Sequence, residues 1–151
     1  PLECNTDVAV TAWVINGDKE LLRRAIGNLI TNSQTHNPDG CTISVCVRKS
    51  DTEYKIVVED NGVGVTDEKL EKLRTTPHFM MSDSGTTEPR HGLVLLTVWQ
   101  IVSSHQGTVS FDHGKQGGFA VTISFPIPKD SHTQLMLNTV ELQWKPYGFL
   151  L

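Results

Sequence analysis

No run of this 151-residue chain approaches the length of a membrane span, and no segment has the make-up of a signal peptide. Both absences fit a cytoplasmic module, whose parent protein can still be anchored in a membrane. Positive charge is scarce as well. The 13 Lys and Arg are outnumbered by 17 Asp and Glu, a net charge of −4, so there is no electrostatic footprint for nucleic acid. Cysteine is limited to Cys4, Cys41 and Cys46. That number is odd, and Cys41 and Cys46 differ in parity along one predicted strand, which favours free thiols in a reducing compartment over a disulfide or a metal site. Internal repeats are missing too. What the chain does have is 38% hydrophobic residues, enough at this length for one globular domain with a sizeable core.

Asp60-Asn61-Gly62-Val63-Gly64-Val65 closes a strand-like run, Tyr54-Lys55-Ile56-Val57-Val58-Glu59. Tyr54, Ile56, Val58 and Asp60 share parity, so a carboxylate stands where the apolar face of a strand ends, with no cation near it in sequence. An exocyclic purine amine would satisfy it, and the glycines after it allow close approach of backbone to a ligand. By itself the hexapeptide is better read as a strand running into an Asp-Asn-Gly turn.

Between Asp18, an N-cap candidate, and Ser33, apolar residues recur at Leu21, Leu22, Ala25, Ile26, Leu29 and Ile30, the stripe of an amphipathic helix. Arg24, Asn28, Asn32 and Thr35 line up beside it at spacings of four, four and three. Amides are mediocre helix formers, so the line is equally a solvated face or a polar site. A third segment, from His91 to Gly107, reads as a mostly apolar and largely buried helix with Gly107 as its stop. The stretch 75–90 before it has no periodicity and is too long for an ordinary connection, so it is expected to be disordered or a lid. Glycine at the start of a helix beside such a stretch can offer free N–H groups and a positive dipole end to phosphate.

In this order the three segments resemble the GHKL superfamily of ATP-binding domains, and most closely the catalytic domain of bacterial sensor histidine kinases. The resemblance covers residues 8–126. Asn28-Leu29-Ile30-Thr31-Asn32-Ser33 is similar to the family's Asn-box, Asp60 to Gly64 to its Asp-x-Gly-x-Gly box, and Phe79 to its phenylalanine box. Residues 91–107 are similar to the second glycine box and its helix, and Gly117-Gly118-Phe119 onward to the last strand. The resemblance implies ATP and Mg²⁺ as cofactors. Asp60 would accept from the adenine amine, Asn32 would hold Mg²⁺ against the triphosphate, and Asn28, the candidate catalytic residue, would line the phosphate end. Gly62, Gly64, Val65, Phe79, Arg90, Gly92 and Leu93 complete the implied nucleotide contacts. His36, at the helix end, is a further candidate, with a plain helix-end role as its equal alternative. One amide oxygen is adequate for Mg²⁺, which keeps several waters and takes few protein ligands.

The implied fold is an α+β two-layer sandwich of the Bergerat type, a mixed sheet covered on one face by about three helices. Its expected elements are strands 8–14, 42–48, 54–60, 108–111 and 119–125 and helices 19–35, 67–74 and 93–105. The domain would occupy residues 1–128, and 129–151 would be an apolar C-terminal extension, able to pack back on the domain or to meet a partner domain. The implied activity is that of a protein-histidine kinase catalytic domain, passing a γ-phosphoryl group to a histidine on a separate dimerisation domain, with a response regulator indirectly downstream. None of the six histidines is followed by Asp or Glu, so the family's phosphoacceptor is absent from this chain. His105, before the helix stop, is most simply structural.

Two other functions compete. Water-using relatives usually carry a glutamate four residues before the metal-binding asparagine; here the residue is Asn28, and an amide is no general base at neutral pH. A degenerate pseudokinase or interaction module is kept open by three departures: Thr35 stands where these kinases usually have Lys or Arg, and Arg90 and Val94 where the glycine box has glycine. A β-branched residue at 94 cannot follow glycine into unusual backbone angles, while Arg90 can restore the missing positive charge.

Overall fold

The computed structural model describes residues 2–6, 13–75, 89–127, 139–145 and 148–150. Along the chain these form β1 (Leu2–Thr6), β2 (Trp13–Asn16), α1 (Lys19–His36), β3 (Ile43–Lys49), β4 (Glu53–Asp60), α2 (Asp67–Thr75) and α3 (Pro89–Ser104). After α3 come β5 (Thr108–His113), β6 (Phe119–Pro126), β7 (Thr139–Lys145) and β8 (Gly148–Leu150). The main sheet has the order β1-β3-β4-β6-β5. Its last four strands are antiparallel and β1 runs parallel to β3, so it is mixed, as expected.

Period-two patterning builds the core. The register sets Val45 opposite Val58, Val47 opposite Ile56, Ile56 opposite Ile123 and Tyr54 opposite Phe125, so the apolar parity of three strands falls on one face. Against it pack Leu22, Ala25, Ile26 and Leu29 of α1, Leu70 and Leu73 of α2, and Leu95, Val98, Ile101 and Val102 of α3. Each buried aliphatic side chain is worth about 1.5–3 kcal/mol, which makes this face the main source of stability. The other parity, including Ser44, Cys46, Glu59 and Thr122, lines an open concavity of ≈ 800 Å³. Among the described residues, three helices on one face of a mixed sheet make the α/β sandwich that the sequence implied.

The departures are at the ends of the elements. Of the expected strand 8–14 only residues 13 and 14 are described, and they open β2. Strand β1 was not foreseen, because Leu-Glu-Cys-Asn-Thr has little apolar alternation and takes its register from β3. Helix α3 begins at Pro89, four residues before the expected start: proline suits the first helical position, where its missing N–H is no loss. From the C-terminal extension, β7 pairs antiparallel with β2, Trp13 opposite Leu142 and Asn16 opposite Thr139.

The start of α1 and the end of α3 are tied to each other. Asp18 caps α1, its carboxylate accepting from the N–H groups of Glu20 (2.9 Å) and Leu21 (3.0 Å). The N–H of Asp18 donates to His105 Nε2 (2.8 Å), and Nδ1 of the same ring lies 2.7 Å from the Ile101 carbonyl. Nε2 therefore accepts and Nδ1 donates, which defines the neutral Nδ1–H tautomer and gives His105 a structural task. At the end of α3, Gly107 N–H reaches Val102 O and Gln106 N–H reaches Ser103 O, a Schellman closure. The left-handed residue there is Gln106 (φ 61°), not the stop glycine. Gly107 is needed for close approach instead: a Cβ there would sit 2.7 Å from Ser124 O.

A Cβ at Gly17 would lie 2.2 Å from His105 Cδ2, so the turn before α1 and this ring are mutually exclusive occupants of one space. Gly17→Ala is expected to cost roughly 1–3 kcal/mol, the scale of an overpacked contact, and much less in a His105→Ala background. Urea unfolding of the four proteins of the cycle checks this. Equal penalties in both backgrounds would show that Gly17 is required by its backbone alone.

Candidate functional site

Asp60 is the last residue of β4 and is 4% exposed, as the parity of the strand demands. A buried carboxylate needs fixed donors. Its Oδ1 accepts from Gly62 N–H (3.0 Å) within the turn and from Phe119 N–H (3.3 Å) at the start of β6. Oδ2 takes no bond among the described residues, and no Lys, Arg or His there pairs with it. Asn61 points elsewhere, accepting from Thr42 N–H (2.7 Å) through Oδ1 and so locking the turn to the start of β3.

The glycines are explained by protein contacts. Gly64 has φ +68°, and a Cβ on it would meet Gly117 O at 2.6 Å; a Cβ on Gly118 would lie 1.9 Å from Asp60 O. The 60–64 turn and the β5–β6 turn therefore interlock backbone to backbone. At Gly62 the missing Cβ faces Asn37 Oδ1, 1.8 Å away. Val63 between them is 79% exposed, and Val65 packs against the rim of the core.

On α1 the expected polar line divides. Arg24 and Thr35 are exposed, Asn28 is half-buried and Asn32 is 4% exposed. Asn32 follows Ala25 and Leu29 at helical spacing, so it lies on the buried stripe and not on a solvated face. Its Oδ1 has no hydrogen-bond partner among the described residues. The Thr35 hydroxyl is turned inward to Thr31 O (2.8 Å), a bond within the helix. His36 is half-buried in the last turn.

Arg90, Gly92 and Leu93 fall in the first turn or so of α3, where the leading N–H groups have no intrahelical acceptor. Val94 is half-buried and already well inside that helix, so the place the sequence assigned to it, at the helix start, passes to residues 89–92. Phe79 lies outside the described residues. Among the described residues no helix is long and apolar enough to cross a membrane.

Sequence reasoning did not single out Asn37. It is 6% exposed, its Nδ2 donates to Ser33 O (2.8 Å) and its Oδ1 accepts from Val63 N–H (2.8 Å). Its only local sign is its position just past the end of a helix, where asparagine is an ordinary terminator.

A buried amide oxygen without a partner among the described residues, on a helix stripe, and a buried carboxylate at a strand end are features that packing alone would not select. Comparison with known proteins agrees. Residues 17–129 match the family described as histidine kinase-, DNA gyrase B-, and HSP90-like ATPase, and the chain belongs to it. It is homologous to sensor histidine kinases. Sporulation kinase B of Bacillus subtilis is 35% identical over 114 residues, 75% of this chain and 25% of that protein. Sporulation kinase A of the same organism is 31% identical over 112 residues, 74% of this chain and 18% of the relative. The signal transduction histidine-protein kinase/phosphatase MprB of Mycolicibacterium vanbaalenii is 34% identical over 113 residues, 74% and 23%. The chain thus spans about a fifth to a quarter of the length of these relatives. Among solved structures, the mycobacterial sensor histidine kinase MprB superposes with a TM-score of 0.63 at 27% identity, over 83% of this chain and 81% of that one. The catalytic domain of histidine kinase ThkA shares the fold at a TM-score of 0.64 and 17% identity, over 83% and 78%.

With Oδ1 buried and without a partner among the described residues, Asn32 carries a desolvation penalty of about 1–3 kcal/mol that an apolar side chain of similar volume would not. Asn32→Leu is therefore expected to unfold at the same urea concentration as the parent or a higher one. A loss of more than about 1 kcal/mol would show that the oxygen is bonded in solution.

Proposed function

We propose that the chain is the ATP-binding catalytic domain of a two-component sensor histidine kinase. It binds Mg-ATP in the cytoplasm, and the γ-phosphoryl group passes to a histidine on a separate dimerisation domain of the same kinase, with a response regulator acting downstream. The observation that carries this is Oδ1 of Asn32: a neutral oxygen, buried and without a partner among the described residues. Mg²⁺ takes oxygen ligands and keeps most of its waters, so one such oxygen fits it, and a neutral ligand does not repel phosphate. Bound there, the ion would supply positive charge to the phosphates.

The remaining residues have tasks that this assignment orders. Asp60, with Oδ2 uncommitted, accepts from the adenine amine; guanine would present a carbonyl to the same anion and be disfavoured. The first-turn N–H groups of α3, at Arg90 and Gly92, face phosphate with the positive end of the helix dipole. Asn28 and His36 lie on the α1 side of the phosphates, and Val65, Phe79 and Leu93 are further nucleotide contacts on the family pattern alone, Phe79 lying outside the described residues. Asn28 cannot take a proton from water at neutral pH, so the chain contributes position and charge, and the acceptor comes from another domain.

Calorimetric titration with ATP, with and without Mg²⁺, tests the proposal. Binding is expected to be Mg²⁺-dependent in the parent, and Asn32→Ala is expected to remove most of that dependence. Asp60→Asn is expected to weaken ATP by about 1–3 kcal/mol and to reduce its advantage over GTP. A parent that binds no nucleotide would replace this function with that of an interaction module, and an unchanged ATP preference in Asp60→Asn would remove Asp60 from the base pocket.

A further inference from the structure

We infer that Asn37 is a positioning residue for the nucleotide, its carboxamide setting the Asp60–Gly64 turn against the asparagine-bearing end of α1. The inference rests on the ATP-binding function proposed above. Asn37 is the C-cap of α1, and its backbone is occupied locally: its N–H donates to Gln34 O and its carbonyl accepts from Gly40 N–H. The side chain spans the two sides of the site. Nδ2 donates to the carbonyl of Ser33, the residue after Asn32, and Oδ1 accepts from the N–H of Val63, three residues after Asp60. One partner can only accept and the other can only donate, so the orientation of the amide is determined.

Gly62 makes the coupling rigid. Its N–H is held by Asp60 Oδ1 at 3.0 Å, and its Cα faces Asn37 Oδ1 so closely that a Cβ would lie 1.8 Å from that oxygen. The turn residue is thus wedged between the carboxylate that takes the base and the amide that reaches α1. Any displacement of the Asn37 side chain moves Gly62 and Val63, and with them the Asp60 turn, relative to Asn32. A backbone reason for asparagine is absent: its φ is −126°, outside the left-handed region in which asparagine is favoured at helix ends. The residue type is required by its two side-chain bonds.

The test uses Asn37→Asp, which keeps the shape and the acceptor for Val63 but sets an oxygen against Ser33 O. Gly62→Ala is the second variant and pushes on the same amide from the other side. Thermal unfolding identifies a temperature at which each protein is folded, and ATP and GTP affinities are measured there, with hydrogen exchange at the Val63 amide. Expected are a fall in ATP affinity of about tenfold, a smaller fall for GTP, and faster exchange at Val63. A merely structural role would lower the melting temperature and leave the ATP to GTP ratio unchanged. If the parent binds ATP and both folded variants bind it within about twofold of the parent, the positioning role is overturned while the ATP-binding function stands. If Asn37→Asp does not fold, Gly62→Ala alone decides by the same criterion. A parent without ATP affinity overturns both.

Discussion

A carboxylate that ends a strand on its apolar side must be supplied with donors, and the loops at this end of the molecule are arranged to supply them. Asp60 is 4% exposed, and the two N–H groups that reach it belong to segments far apart in sequence, its own turn and the start of β6. Bringing both within hydrogen-bond distance forces backbone against backbone, which is why Gly64 and Gly118 leave no room for a side chain. The crowding then extends through Gly62 to Asn37 and so to α1. One buried charge thereby fixes the relative positions of two turns and a helix end.

Helix α1 is held at both ends by side chains of other polarity than its stripe. Asp18 and His105 secure its start, Asn37 its finish, and between them Leu22, Ala25, Ile26 and Leu29 bind it to the sheet. A helix held in this way can carry a buried amide such as Asn32 at some expense of stability, because the surrounding contacts over-determine its place. The sheet is the scaffold and the element ends carry the chemistry, as is common where precise polar geometry is needed. The opposite face of the sheet, lined by Ser44, Cys46, Glu59 and Thr122, is simply the other parity of the same strands.

The family relation is broad and the overlap partial. The ThkA domain superposes over most of this chain at 17% identity, so the fold is kept while most of the residues differ. Under the function proposed here, an amide at position 28 and a histidine supplied from elsewhere belong together: where the phosphoryl acceptor is a separate domain, no resident base is needed to activate water. The chain would then be the nucleotide half of a reaction whose other half lies in a different domain.

Local physics determined much of this in advance. The parity of Tyr54, Ile56, Val58 and Asp60, the cap at Asp18 and the alternation from Phe119 to Phe125 are properties of neighbouring residues, so the four antiparallel strands of the main sheet, the long helix and the burial of Asp60 were legible in the sequence, while β1, β7 and β8 were not. The α/β sandwich followed from their order together with the three motifs. What no window of the chain records are bonds between distant residues. Val63 and Asn37 are 26 positions apart, Asp60 and Phe119 are 59, and Asp18 and His105 are 87. The role of Asn37, the turn of Asn32 from an expected polar face to the buried stripe, and the pairings of β1 with β3 and β7 with β2 all depend on such contacts. Only the assembled layers decide which side of a helix is covered and which amide meets which carbonyl, because those energies exist only once the chain has brought the partners together.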